Sequence, residues 1–246
     1  MKTLLWMFLA ATLIACDSRQ DGDKGGQTEK APDPSVLLDP ALPVWKEKAP
    51  DEFKVKFTTS KGDFVIQVER AWSPNGADRF YTLAKNGYYD GIRFFRVVPN
   101  FMAQFGIHGN PKVNEVWSER KIPADPVVKS NERGWVTYAM RGGQPDSRTT
   151  QIFINFGNNK GLDGQGFSPF GKVVEGMEIV DKLYNGYGDG PPRGRGPDQG
   201  RLQKEGNEYL NKNFKDMDYI KTARLVSKDA PKEPAKEPPK EPPKDK

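Results

Sequence analysis

A mainly β fold, a closed barrel or a sandwich with few helices, is what this sequence predicts, and three observations carry the expectation. Short runs rich in β-branched and aromatic residues recur between glycines at 94–98, 101–105, 135–140, 151–156, 170–174 and 219–226. Phe53, Val55 and Phe57 alternate with polar residues, and after the turn Ser60-Lys61-Gly62-Asp63 the alternation resumes at Phe64, Ile66 and Val68, which reads as a β-hairpin. Helical spacing, by contrast, is confined to two stretches. Closing a sheet of many short strands removes its exposed edges, which is why a barrel suits such a pattern.

The first helical stretch follows Ser73-Pro74, an N-cap with proline at the first helical position; Ala77, Phe80, Leu83 and Ala84 form its apolar face and Gly87 ends it. Met177, Ile179, Val180 and Leu183 predict a second, short helix that stops before Asn185-Gly186. Residues 185–208, with many glycines and the basic trio Arg193, Arg195 and Arg201, read as a long structural loop. Its glycines neither follow a strand nor open a helix in the dinucleotide pattern.

Composition then removes whole classes of chemistry. Among 246 residues there is one cysteine and one histidine, so neither a disulfide framework nor a Cys/His metal cluster can be built. Any Ser-His-Asp or Cys-His arrangement would have to use His108, which reads instead as a structural or surface histidine. No cofactor and no metal are expected. The net charge of +5 lies on the central part of the chain, where no basic run is dense enough to argue for nucleic acid as a partner.

Both ends are read as lying outside the fold. Lys2 precedes a twelve-residue apolar run, Leu4 to Ala15, too short to span a bilayer, and residues 1–15 read as a signal peptide. Leu13-Ile14-Ala15-Cys16 resembles the lipobox of bacterial lipoproteins, so Cys16 is the expected lipidation site, carrying palmitate-type acyl chains and holding the protein at the cell envelope. Several chains on one residue anchor stably where one does not. Residues 16–52, polar and proline-punctuated, read as a flexible tether, and 227–246 as a Lys/Glu/Pro-rich tail.

Between them, residues 53–226 carry a resemblance. Phe94-Phe95-Arg96-Val97-Val98-Pro99-Asn100-Phe101-Met102-Ala103-Gln104 is similar to the signature of the cyclophilin family of peptidyl-prolyl cis-trans isomerases. A second block resembles further family segments in the same order: Gln151-Ile152-Phe153-Ile154, then Leu162-Asp163-Gly164, then Phe170-Gly171-Lys172-Val173-Val174-Glu175-Gly176-Met177. The resemblance implies a closed eight-stranded antiparallel β-barrel capped by two α-helices, with an active groove on its outside. It implies that Arg96, Phe101 and Gln104 are catalytic and that Met102, Ala139, Gln151, Phe153, Leu162 and Phe167 bind substrate. Phe167 is matched across a one-residue difference in spacing. Where cyclosporin-sensitive members carry tryptophan this chain has Gly161, which implies weak cyclosporin binding. Phe95 and Phe105 replace a common histidine and a glycine, outside the groove set.

The chemistry fits these residue types. The partial double bond of an amide resists rotation by ~18–20 kcal/mol, and prolyl bonds alone have a well-populated cis form. Rotation needs neither proton transfer nor a covalent intermediate, so a groove without histidine is no handicap. It needs a pocket for the proline ring and a donor for the nitrogen lone pair that appears only in the twisted state, and a guanidinium supplies fixed donors on a delocalised charge. The expected function is isomerisation of Xaa-Pro bonds in extracytoplasmic proteins, by a monomer whose partners are proline-containing polypeptides and, through Cys16, a lipid bilayer. The alternative is a non-catalytic prolyl-peptide binding or assembly module.

Overall fold

The computed structural model describes residues 31–227. The signal peptide, Cys16 and most of the Lys/Glu/Pro tail lie outside the described residues. Among those described, no helix is long and apolar enough to cross a membrane.

Eight antiparallel strands build one curled sheet: β1 (Glu52–Thr59), β2 (Asp63–Glu69), β3 (Arg96–Val98), β4 (Met102–Phe105), β5 (Trp135–Tyr138), β6 (Ile152–Asn155), β7 (Pro169–Glu175) and β8 (Ile220–Leu225). Their order is β3-β4-β6-β5-β7-β2-β1-β8. The expected hairpin is β1–β2, and its turn depends on Gly62 at φ 131°, from which the Gly62 carbonyl accepts the Thr59 N–H. Strand closure is where the structure departs from the expected closed barrel, since no ladder joins the edge strands β3 and β8. The segment leading into β3 spans that seam, through an Arg93–Tyr219 bridge and hydrogen bonds Gly91 N–H to Ile220 O, Ile220 N–H to Ile92 O and Phe94 N–H to Asp218 O.

The core inside the curl is aromatic. Phe57 stacks on Phe64 at 4.9 Å, and Phe80 from α1 (Pro74–Lys85) reaches Phe170 on β7 at 4.9 Å and Tyr89 at 5.6 Å. Each such buried ring is worth roughly 1.5–3 kcal/mol of transfer free energy. Helix α1 begins at Pro74 as expected, but Ser73 does not cap it with its own side chain. Asp125 does: its carboxylate accepts the N–H groups of Asn75 and Gly76 and the Ser73 hydroxyl, and it pairs with the buried Arg148. An anion suits the positive end of the helix dipole better than a hydroxyl.

Two expected helices are present, α1 and α3 (Met177–Val180), and the structure adds two more, α2 (Pro111–Trp117) and α4 (Gln199–Asn213), the latter kinked at Gly206. The expected loop over 185–208 therefore holds only to residue 198, where Asp198 caps α4 by accepting the Arg201 N–H. Within α4, Gly206 adopts φ 62°, and a Cβ there would collide with the Gly109 carbonyl against which the chain is pressed. Leu202, Tyr209 and Leu210 of α4 join Phe95, Ile107 and Met217 in a second apolar cluster outside the sheet. Phe95 is thus the seat of α4, whereas Phe105 lies in the main core.

The expected tether also ends earlier than residue 52. Residues 34–38 and 43–46 form short 3-10 turns laid against α1 and α2. Leu37 is buried and its carbonyl accepts the Trp117 indole N–H at 2.9 Å; Trp45 meets the Trp117 ring edge-on at 4.6 Å; Ala49 N–H donates to Asp78. Prolines in this strap hide its apolar anchors from any periodicity.

Removing the Phe95 ring tests how α4 is held. Phe95→Ala is expected to cost about 3–4 kcal/mol in urea unfolding and to raise amide exchange across 199–213 while β1 and β2 stay protected. Unchanged exchange in α4 would show that the cluster does not hold it.

Candidate active site

Three neighbouring strands, β3, β4 and β6, place the predicted residues on one face. Arg96 lies opposite Gln104, and Gln104 opposite Phe153, while Met102 stands two residues along β4 on the same side. Directly opposed residues share a face and successive residues alternate. The intervening Val97, Ala103 and Ile154 accordingly enter the main core, and Met102, Gln104 and Phe153 stay outside it although each is buried.

A hydrogen-bonded chain runs across that face. Arg96 Nη1 donates to Gln104 Oε1 at 3.0 Å, and Gln104 Nε2 donates to Gln151 Oε1 at 2.9 Å. Because one glutamine oxygen is engaged by the guanidinium, the amide orientation of Gln104 is set, and that in turn orients Gln151. Arg96 lies over the Phe101 ring, Cζ to centroid 5.7 Å, and Nη1 makes a long 4.0 Å contact with Met102 Sδ.

The apolar walls come from farther along the chain. Phe153 meets Phe167 edge-on at 5.9 Å, and Phe167 N–H bonds the Leu162 carbonyl, so both lie at one end of the face. Leu162 sits in the turn Lys160–Gln165, preceded by an exposed Gly161 beside which a Cβ would find open space. Ala139 is half-buried, its N–H bound to the Gln151 carbonyl at 2.9 Å, which ties β5 to the segment carrying Gln151. The structure thus gathers Arg96, Phe101, Met102, Gln104, Gln151, Phe153 and Phe167 by direct contact and attaches Leu162 and Ala139 through backbone bonds.

Sequence reasoning missed the amide network behind these walls. Asn131, fully buried, accepts from Thr137, donates to Asp163 and to the Phe167 carbonyl, and receives Asn155. Asn159 donates to the Phe101 carbonyl and to Asn155 Oδ1, both under 3 Å. One connected network therefore fixes Phe101 on one wall and Phe167 on the other. Burial works against the Asp163 carboxylate, but hydrogen bonds from Ser130 and Asn131 outweigh it and hold its pKa below the ordinary aspartate value.

Also missed was Asp189, from the glycine-rich segment. Its carboxylate grips Arg96 through both oxygens, Nε to Oδ1 at 2.8 Å and Nη2 to Oδ2 at 3.0 Å. Burial opposes this charge too, yet the Arg96 bonds and charge, the Gly190 N–H and Arg193 leave the carboxyl more acidic than usual. His108 stands apart from this face: its Nδ1 accepts the Asn110 N–H at the turn into α2, and burial lowers its pKa to about 4, so it is neutral near pH 7. Among the described residues no three His, Cys, Asp or Glu side chains gather as a metal site.

Comparison with known proteins bears on the family and the fold. A family model described as cyclophilin type peptidyl-prolyl cis-trans isomerase/CLD matches residues 54–200, more than half of the chain. A peptidyl-prolyl cis-trans isomerase of Acinetobacter baylyi is 37% identical over 136 residues, covering 53% of this chain and 71% of the relative. Peptidyl-prolyl cis-trans isomerase A of Dickeya dadantii is 37% identical over 134 residues, with 52% and 70% covered. The fold is similar to the crystal structure of a cyclophilin type isomerase of Cryptosporidium parvum, at TM-score 0.53 and 21% identity, covering 72% of this chain and 98% of that one. The same Cryptosporidium protein in the presence of the dipeptide Ala-Pro gives the same TM-score, 0.53, covering 71% and 99%.

The two acidic groups make stability depend on pH. Each carboxyl binds protons less readily in the folded chain than in the unfolded one, so its contribution is fully present above the unfolded value near ~3.9 and is lost as pH falls through the folded pKa. The melting temperature is expected to fall as pH drops from about 5 to about 3. Asp163→Asn should start lower and fall less; a parallel profile would remove Asp163 from the cause.

Proposed function

This chain belongs to the cyclophilin-type peptidyl-prolyl cis-trans isomerase family and is a peptidyl-prolyl cis-trans isomerase by that membership, and from this premise we propose that Arg96 drives rotation about Xaa-Pro bonds in proteins outside the cytoplasm. The observation that carries the reading is the single outer face holding Arg96, Gln104, Gln151, Met102 and Phe153.

In the ground state the prolyl nitrogen shares its lone pair with the carbonyl and has little to offer a donor. As the bond twists, the nitrogen turns pyramidal and the lone pair localises. A guanidinium N–H aimed at it is stabilising only then, so the interaction lowers the barrier and does not merely tighten binding. Gln104, itself held by Gln151, keeps the guanidinium from swinging away, which spares the rotamer entropy of a long side chain at the moment of reaction. Phe101, Met102, Phe153 and Leu162 enclose the proline ring, and Phe167 closes the same pocket against Phe153. Desolvation by these walls strengthens the arginine's field. Ala139 and Gln151 hold the extended client backbone. No proton moves, consistent with His108 being uncharged and remote.

The extracytoplasmic setting rests on the apolar run and on Cys16. In this reading Cys16 carries the acyl chains, and the catalytic domain faces the periplasm or exterior as a lipid-anchored monomer.

Two measurements test these assignments. Arg96→Ala is expected to cut cis-trans exchange of a short Xaa-Pro peptide, followed by NMR, by at least tenfold with the melting temperature kept; an unchanged rate would refute the role. In growing bacterial cells, Cys16→Ser is expected to abolish palmitate incorporation and shift the protein from the membrane pellet to the soluble fraction.

A further inference from the structure

Asp189 contacts the arginine to which the proposed function assigns the chemistry, and the inference rests on that reading. Its carboxylate is bidentate on Arg96, and both side chains are largely covered, with 18% and 21% of their surfaces exposed. Arginine has five N–H groups. Among the described residues Asp189 takes two, Gln104 one and the long Met102 sulfur contact another, which leaves one N–H on Nη2 without an assigned partner.

Asp189 is not alone in aiming the guanidinium, because the Gln104–Gln151 chain holds it at Nη1. What it adds is negative charge, in contact with the cation. Nor is it a stray loop residue. Gly190 N–H bonds its Oδ1 at 2.8 Å, Gly196 N–H bonds its carbonyl at 2.8 Å, and Arg193 approaches its outer oxygen at 3.7 Å. Tyr187, two residues before, packs edge-on against Phe214 at 5.0 Å beside the cluster that seats α4. The segment is therefore tied down at both ends of the contact.

We propose that Asp189 is a specificity-determining residue: a built-in carboxylate that competes with the client for Arg96 and disfavours clients carrying an acidic side chain next to the proline. The reasoning is electrostatic. A lone arginine in a partly desolvated groove attracts negative charge, and an acidic client would settle on it by its side chain. With Asp189 in place the charge of Arg96 is offset at contact distance, Arg193 on the outer side is exposed and screened by water, and an added carboxylate at Arg96 meets one already there. Discrimination of this kind acts by repulsion against the wrong partner and not by new contacts to the right one. Neutral clients also lose some rate, because they share the donors with Asp189.

The test compares the full chain with Asp189→Asn and Asp189→Glu on two peptides that differ only in Gln or Glu before the proline. Isomerisation is followed by NMR exchange and affinity by NMR titration. Asp189→Asn is expected to raise kcat/KM at least threefold on the Gln peptide and at least tenfold on the Glu peptide, with a matching gain in affinity for the Glu peptide. Asp189→Glu, which keeps the charge, should retain the wild-type preference. In the wild type, raising sodium chloride should narrow the gap between the peptides through screening, which requires no variant to fold. Equal gains on both peptides, no gain, or a loss would overturn the proposal while leaving the isomerase reading intact. If the wild type failed to isomerise either peptide, the reading of Arg96 would fall, and the affinities would still decide whether Asp189 discriminates by charge.

Discussion

Everything at the candidate site depends on the register of three short strands. Arg96, Gln104 and Phe153 stand opposite one another across β3, β4 and β6, and the alternation of side chains puts them together on the outside. A slip of one residue would send Val97, Ala103 and Ile154 outward and drive a guanidinium and an amide into an aromatic core. Burying those groups without partners costs several kcal/mol each, so the core enforces the site. The amide network extends this constraint sideways, since Asn155 closes β6, donates to Asn131 and accepts from Asn159, and those two hold the loops bearing Phe167 and Phe101.

The segment between α3 and β8 changes the character of that site. Phe95 precedes Arg96 on the approach to β3, and there it seats α4 through Leu202, Tyr209 and Leu210. Asp198 caps α4, and eleven residues on, Tyr209 returns its hydroxyl to accept the Asp198 N–H. The arm that ends at this cap carries Asp189 onto Arg96. One apolar substitution in the signature and one remote carboxylate are thus two ends of a single structural unit, with a path of packed side chains and cap bonds between them.

How much of this could be read beforehand follows from the range of each signal. Strands with period-two alternation, such as Phe53-Val55-Phe57, announce themselves locally, and the residues of the site could be grouped because two ordered blocks resemble a family. Helix α2 left a local mark in Asn110-Pro111, a cap followed by proline at the first helical position. Helix α4 also left one in Leu202, Tyr209 and Leu210, but the glycines and prolines just before it and the non-helical Gly206, where the helix kinks, masked the period. The strap at 34–50 resembles a tether in sequence because Leu37 and Trp45 are single apolar anchors among prolines, and only their contact with Trp117 reveals their purpose. Asp189 left no mark, because nothing local says that a carboxylate will meet an arginine 93 residues away.

That contact poses the sharpest physical question in the molecule, since a cation proposed to act on the prolyl nitrogen and a fixed anion are in principle at odds. An exposed ion pair would be inconsequential, for water screens it and the partners separate at little cost. Here four-fifths of each side chain is covered, so water screens the pair less and a client meets the guanidinium with its charge offset by the carboxylate. The lone pair of a twisting prolyl nitrogen is a weak acceptor without net charge, and it needs a directed N–H more than a long-range field. A pair that keeps the donor direction through Gln104 while removing the net charge therefore sacrifices little of the local interaction. What it removes is attraction for every other anion, including the acidic side chains that abound on folding polypeptides. On this view the carboxylate narrows the arginine to the one task its geometry serves.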